Sequence, residues 1–355
     1  MHFIPPSGTA PFTLSVLANG VTGVGTTAAQ GLSSTISLAR TADQRGYHRF
    51  WMSEHHGMGA TSVSSPPLMV ARLIAETARI RLGAGGVMLP NHAPLLIAEQ
   101  FGMLEALAPG RIDLGLGRAP GTDSATAAAL GRGANANDGF PQQMLELLGF
   151  LGNKFPPGHP YRNVHAVPGP WQAAQNRVTA DDAGPDIWVL GSSPYSAHLA
   201  ARLGRPYAFA LQFGDSDIDT ALRIYRDAFQ PSEVLAEPRI LVSVPVAIGD
   251  DVAAAKRQAV TSAVGMLRMF KNEGYLLLPP DEAEAYPATP QEHQIVDAFV
   301  RRNFHGTPAT VADRLEALHR RTGADEMMLV VGGHSASFDE CGIGLIADHY
   351  NMLQA

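Results

Sequence analysis

The sequence predicts an α/β fold, a (β/α)8 barrel of the TIM type. Three observations predict it. Short runs rich in β-formers alternate with longer segments at helical spacing, and that rhythm implies parallel pairing, because each crossover carries a helix back over the sheet. Eight strand segments can be counted, each followed by a helix, which favours a closed barrel over an open doubly wound sheet. The chain has 355 residues, inside the range of roughly 200 to over 400 that such barrels occupy.

The first strand is PFTLSVL, residues 11–17. Residues 30–46 carry apolar side chains at helical spacing and stop at glycine, a usual helix end. HRFWMSE (48–54) is the second strand, followed by a proline-opened helix over 66–77. IRLGAGGVML (80–89) is the third strand, and the helix over 94–108 closes at the turn pair Pro109 and Gly110. RIDLGLG (111–117) is the fourth. Glycine, asparagine and proline then collect between residues 122 and 186, around a helix at 140–151. DIWVLG (186–191), YAFAL (207–211) and RILVSVPVAI (239–248) are the next three strands, with helices over 195–203, 217–229 and 250–270. Thr307 as N-cap and Pro308 in the first turn open a helix over 308–321. EMMLVVG (326–332) is the eighth strand, and 339–353 a terminal helix. Residues 267–294 break the rhythm, because GYLLLPPDEAEAYPATP is too rich in proline and acid for one helix. They are expected to form an insertion after strand seven, a mobile lid over the C-terminal mouth of a single domain spanning 1–355.

The composition is that of a globular protein, 45% hydrophobic and 17% charged, with a formal charge of −7. An acidic chain without a basic run disfavours nucleic acid and acidic membrane surfaces as partners. The single cysteine, Cys341, makes neither an internal disulfide nor a Cys-rich metal site. The N-terminal segment has no secretory pattern, and no run of about 18 apolar residues is present. A reducing, cytoplasmic location is expected.

In such a barrel the chemistry sits at the C-terminal ends of the strands. Three unusual stretches fall there. GSSPYSA (191–197) ends strand five and starts a helix, with Ser193 as N-cap and Pro194 as first residue. Its hydroxyls at Ser192, Ser193, Tyr195 and Ser196, beside unpaired helix N–H groups, suit a small dianion such as phosphate. The plainer reading is an ordinary cap. Arg118, at the end of strand four, is either a phosphate partner or one half of a surface salt bridge. GAGG (83–86) lies within a strand, where Gly85 and Gly86 mark a barrel corner or a flat ligand lying against the main chain. Strand two ends in Glu54, His55 and His56. Strand alternation points the two imidazoles to opposite sides, which makes shared metal ligation awkward. Either imidazole is a candidate acid or base at the pocket, the other and Glu54 holding structure. GHSAS (333–337) imitates a nucleophile elbow, but only 18 residues follow Ser337 and no acid–histidine pair is placed to complete a triad.

GYHRFWMSEHH, ARIRLGAGGVMLPNHAPLLIAEQFGMLEALAPGRIDLGLGRAPGTD and IWVLGSSPYSAHLAARLGRPYAFA together resemble the bacterial luciferase-like flavin monooxygenases, over nearly the whole chain. The central block resembles the alkanal-monooxygenase type, whose members mostly lack an assigned substrate. The resemblance implies a (β/α)8 barrel, usually dimeric, with an insertion over the mouth. It implies that His55 is the catalytic histidine and that Gly85 and Gly86 form a cis peptide under the flavin. Arg118, Ser193 and Ser196 would contact the FMN phosphate, and Gly191 and Ser192 would border the ring. It also implies the activity: a flavin reductase supplies reduced FMN, oxygen converts it to a C4a-peroxide, and this oxygenates a small organic, aldehyde-like substrate. The luciferases carry a reactive cysteine where this chain has Gly117, so light emission is not implied. A deazaflavin-dependent oxidoreductase or a non-catalytic flavin-binding protein would share the barrel.

Overall fold

The computed structural model describes residues 7–352 except 134, 180–183 and 215–216; position 353 of the expected terminal helix lies outside the described residues. Strands β1 (Thr13–Ala18), β2 (Arg49–Met52), β3 (Arg81–Met88), β4 (Ile112–Gly117), β5 (Asp186–Gly191), β6 (Tyr207–Ala210) and β7 (Ile240–Ile248) pair in sequence order. A three-residue strand, β8 (Phe304–Gly306), precedes β9 (Glu326–Val331). All pairings between these strands are parallel, and β9 lies between β1 and β7, which closes an eight-stranded barrel of β1 to β7 and β9. β8 pairs only with the upper end of β7, at Val246 to Ile248, outside the closed ring.

The connecting helices are α1 (Ala28–Gln44), α2 (Pro66–Ile74), α3 (Pro94–Leu107), α4 (Ser124–Ala129), α5 (Phe140–Gly152), α6 (Pro170–Gln175), α7 (Pro194–Arg202) and α8 (Ile218–Asp227), then α9 (Val252–Phe270), α10 (Pro280–Glu284), α11 (Pro290–Arg302), α12 (Pro308–Thr322) and α13 (Ala336–His349). Their starts follow from local chemistry. Thr27 and Gln30 form a capping box on α1, Asp251 accepts from the Ala253 and Ala254 N–H groups on α9, and α2, α3, α5, α7, α11 and α12 begin at proline or just before it.

Two expectations change. Strand two ends at Met52 and not at residue 54: beyond it the Ser53 hydroxyl donates to Asn19 Oδ1 and the Glu54 carboxylate accepts from the Met88 N–H at the end of β3. Residues 267–294 are not one irregular loop. α9 runs unbroken to Phe270, and α10 and α11 follow, the latter opened by a Thr289–Glu292 capping box.

The barrel interior is filled differently in its two halves. At the N-terminal half Arg49 is 3% exposed and reaches both Glu326 (Nε–Oε1 2.7 Å) and Asp113 (Nη1–Oδ2 2.7 Å). Arg81 joins Asp113 to Asp186 through Nη2, each contact 2.7 Å, and the Trp51 indole N–H donates to Asp113 at 2.9 Å. Burial alone would raise the Asp113 carboxyl, but Arg49 and Arg81 hold it below the ordinary range. Above this plug the inward positions turn small, with Gly85, Gly86, Gly117, Ala208, Ala210 and Gly332, and the space they leave is a cavity at the C-terminal end. No helix among the described residues is long and apolar enough to cross a membrane.

Candidate functional site

The cavity holds about 560 Å³ and is walled mainly by apolar groups, a size typical of small-molecule sites at roughly 300–1,000 Å³. His55, Gly85, Gly86, Arg118, Gly191, Ser192, Ser193, Tyr195 and Ser196 all line it. His56 does not line it.

Glu54 explains the difference between the two imidazoles. Its carboxylate is 1% exposed and accepts from the Met88 N–H (3.0 Å), Asn91 Nδ2 (3.1 Å), His92 Nε2 (2.9 Å) and His56 Nε2 (2.9 Å). His56 is thus turned onto Glu54, which ties the tip of β2 to the loop after β3. Burial would raise the Glu54 carboxyl, but His92, His56 and the Met88 N–H together lower it. Glu54 is a carboxylate anchor.

His55 is left to the cavity. Its Nδ1 lies 3.3 Å from the Gly121 carbonyl oxygen. A carbonyl only accepts, so Nδ1 carries the hydrogen and Nε2 carries the lone pair of the neutral ring. Burial lowers its pKa against the opposing pull of Gly121 and Glu54, which favours that neutral form. Gly121 is itself required: its φ is +68°, and a Cβ there would meet the Glu54 carbonyl oxygen at 2.9 Å. The Thr122 hydroxyl donates to the His56 carbonyl at 2.6 Å, so the stretch after β4 clamps the histidine loop.

On β3, the Gly85–Gly86 peptide is cis, and the register with β4 shifts between Gly85 and Val87. A Cβ on Gly85 would lie 2.6 Å from Trp51, and one on Gly86 2.7 Å from the Gly115 carbonyl oxygen. Two bare glycines therefore present flat backbone to the cavity.

The third component is the start of α7. Ser193 is its N-cap and Pro194 its first residue, and the Ser193 side chain makes no capping bond. The Tyr195 and Ser196 N–H groups of the first turn lack an intrahelical acceptor. Ser196 Oγ is committed, donating to the Ser193 carbonyl (2.9 Å) and lying 3.1 Å from the Tyr207 hydroxyl. The hydroxyls of Ser192, Ser193 and Tyr195 have no partner among the described residues. The Arg118 guanidinium lies 4.2 Å over the Tyr195 ring and has no carboxylate partner among the described residues, so its charge is available to the cavity. Arg132 holds the Arg118 carbonyl (2.6 Å) and Asn91 Oδ1 (2.7 Å), and through Asn91 connects the cation to Glu54. An unpaired guanidinium, free helix N–H groups, a flat glycine surface and a neutral histidine fit a planar, phosphorylated ring such as FMN.

Sequence reasoning passed over Asn91, His92, Arg132 and the outer wall contributed by α9 and α11. Asn91 and His92 follow strand three directly, a strand-end position that could have drawn attention. The outer wall carries no residue pattern that announces it.

The description "luciferase-like monooxygenase" attaches to a family model that matches residues 12–326. The chain belongs to the luciferase-like monooxygenase family. It is 38% identical over 306 residues to a luciferase-like monooxygenase of Escherichia coli K12, covering 86% of this chain and 87% of that one. The structure of apo-MsnO8 superposes with a TM-score of 0.84 at 33% identity, over 97% of this chain and 99% of the other. The oxygenase component of the flavin-dependent trigonelline monooxygenase of Acinetobacter baylyi is 25% identical over 313 residues, 82% of this chain and 81% of that one. Family members of this kind use flavin, and the site described above has the parts such a cofactor needs.

Proposed function

We propose that this chain is the oxygenase component of a two-component system that takes reduced FMN from a separate reductase and inserts oxygen from O2 into a small organic, aldehyde-like substrate. The observation that carries the reading is the convergence of His55, the Gly85–Gly86 surface and Arg118 with the α7 start on one cavity. When bound, reduced FMN supplies the electrons that activate oxygen. Arg118 and the Tyr195 and Ser196 N–H groups hold the phosphate, with the Ser192 and Ser193 hydroxyls beside them. Gly85, Gly86 and Gly191 let the backbone approach the ring. His55 is held by Gly121 so that Nε2 accepts or returns a proton. Met269 and Tyr275 lie in the 267–294 segment and line the cavity, which supports its role as a cover that keeps water out. The oxygenase named from Acinetobacter baylyi supports the reductase partner. The single cysteine supports a cytoplasmic location, and an apolar face on α2 and α3 supports a homodimer.

The test follows reoxidation. Protein loaded with photoreduced FMN is mixed with oxygen, and the lag between oxygen uptake and the return of oxidised-flavin absorbance is measured. His55→Asn is expected to shorten the lag about a hundredfold or more, the low end of a lost acid–base group. An unchanged lag contradicts the role. Parallel titration with the deazaflavin cofactor separates the deazaflavin-dependent alternative.

A further inference from the structure

We infer that the substrate is an apolar molecule bearing one carboxylate, and that Arg302 and Asn303 receive that carboxylate. The inference rests on the flavin reading for the other half of the cavity and extends it to the substrate half.

The wall away from the glycine surface is apolar, with Met58, Met266, Met269 and Phe299 among its lining. Methionines make such a wall adaptable in shape. Against this background Arg302, the last residue of α11, is conspicuous. It lines the cavity, its guanidinium lies 4.2 Å over the Phe299 ring, and among the described residues its one side-chain hydrogen bond is a long Nε contact of 3.4 Å to the Ala298 carbonyl. Cations of α9 and its end, outside the cavity lining, have acids: Arg257 pairs with Asp281 and Glu284, Arg268 with Glu273, and Lys271 with Glu273 and Glu292. Among the described residues no carboxylate meets Arg302.

Asn303 adds an independent observation. It is 8% exposed and lines the same cavity; its buried Oδ1, without a partner among the described residues, is an acceptor and calls for a donor, so the atom it can offer a carboxylate is Nδ2. No hydrogen bond is made by its side-chain amide among the described residues, although buried amides are ordinarily satisfied. Gln212 also lines the cavity, and its Oε1 accepts from the Ser243 hydroxyl at 2.8 Å, which leaves its amide donors unspent. Among the described residues the one carboxylate on the wall is Glu54, already saturated. Unspent donors and an unpaired cation select an anionic acceptor, and a guanidinium suits a carboxylate by its paired N–H geometry. With Arg118 assigned to the cofactor phosphate, Arg302 is the cation left for substrate.

The experiment compares 4-phenylbutyrate with its neutral amide by calorimetry, on the protein with and without FMN, and repeats it on Arg302→Gln and Arg302→Lys. The acid is expected to bind about tenfold or more tightly than the amide, as for a hydrogen bond to a charged group. Arg302→Gln should bring the two within about threefold and Arg302→Lys retain part of the difference, while FMN affinity changes less than about threefold. Equal binding of acid and amide by the wild-type protein overturns the inference. So does a preference that survives Arg302→Gln, or an FMN affinity that falls with that substitution, since the cation then serves the cofactor. Failure of FMN to bind the wild-type protein would sink the cofactor reading alone, because the comparison on the flavin-free protein still decides the carboxylate site.

Discussion

Glu54, His55 and His56 are consecutive, yet burial and partners give them different chemistry. The same physics acts on titratable residues that do not line the cavity, where it is easier to isolate. His48 is 7% exposed and neither ring nitrogen has a hydrogen-bond partner among the described residues. Burial, with Arg49 nearby, lowers its pKa from 6.5 to about 4. Between those values the unfolded chain binds a proton that the folded chain does not, so stability falls as pH drops. The loss attached to His48 is about 2 kcal/mol between pH 8 and pH 5. Asp339 acts in the opposite sense. Burial raises its carboxyl to about 7 against the pull of the Gly333 N–H, so the folded chain keeps a proton that the unfolded chain loses, and stability falls as pH rises through that window. Urea midpoints measured from pH 5 to pH 8 should show a flatter acid limb in His48→Asn and a flatter upper limb in Asp339→Asn. An acid limb identical in wild type and His48→Asn contradicts this account.

At the scale of elements, strands one to seven and the last strand were legible because each is a short apolar run between turn signals. What escaped was local. α11 was lost in a proline-rich stretch, although TPQE at residues 289–292 is a capping box with proline in the first turn. β8 has three residues, too few to show any period. The divergence of His55 from His56 was expected from strand alternation, but the strand stops at Met52 and the separation comes from Glu54, whose partners lie 34 to 38 positions further on. α3 illustrates a signal that sequence shows and a lone chain does not use. It is apolar nearly all round, and Leu96, Met103 and Leu107 on one face are 47%, 56% and 62% exposed, while Leu68 of the neighbouring α2 is 76% exposed. A helix apolar on every side is ordinarily covered. If this face forms the proposed dimer, Met103→Glu with Leu107→Glu converts the protein to monomer in sedimentation while leaving the urea midpoint nearly unchanged. A wild-type monomer, or a dimer that survives both substitutions, counts against it.

For the whole molecule, the barrel separates stability from function along its axis. The Arg49, Arg81, Asp113, Asp186 and Glu326 network seals the N-terminal half. Small residues open the other half, where β2, β3, β4 and β5 deliver their tips to one cavity. Closure of the ring is what turns segments more than 100 residues apart into one site. If Arg118 and the α7 start bind the phosphate of a flavin there, the ratio of FMN to riboflavin affinity reports it, measured by quenching of flavin fluorescence in wild type and Arg118→Met. Wild type should prefer FMN by about tenfold or more, the value of a charge-assisted contact, and the preference should collapse toward unity in Arg118→Met with riboflavin binding unchanged. Equal affinity for the two flavins in the wild-type protein, or a preference untouched by the substitution, would contradict it.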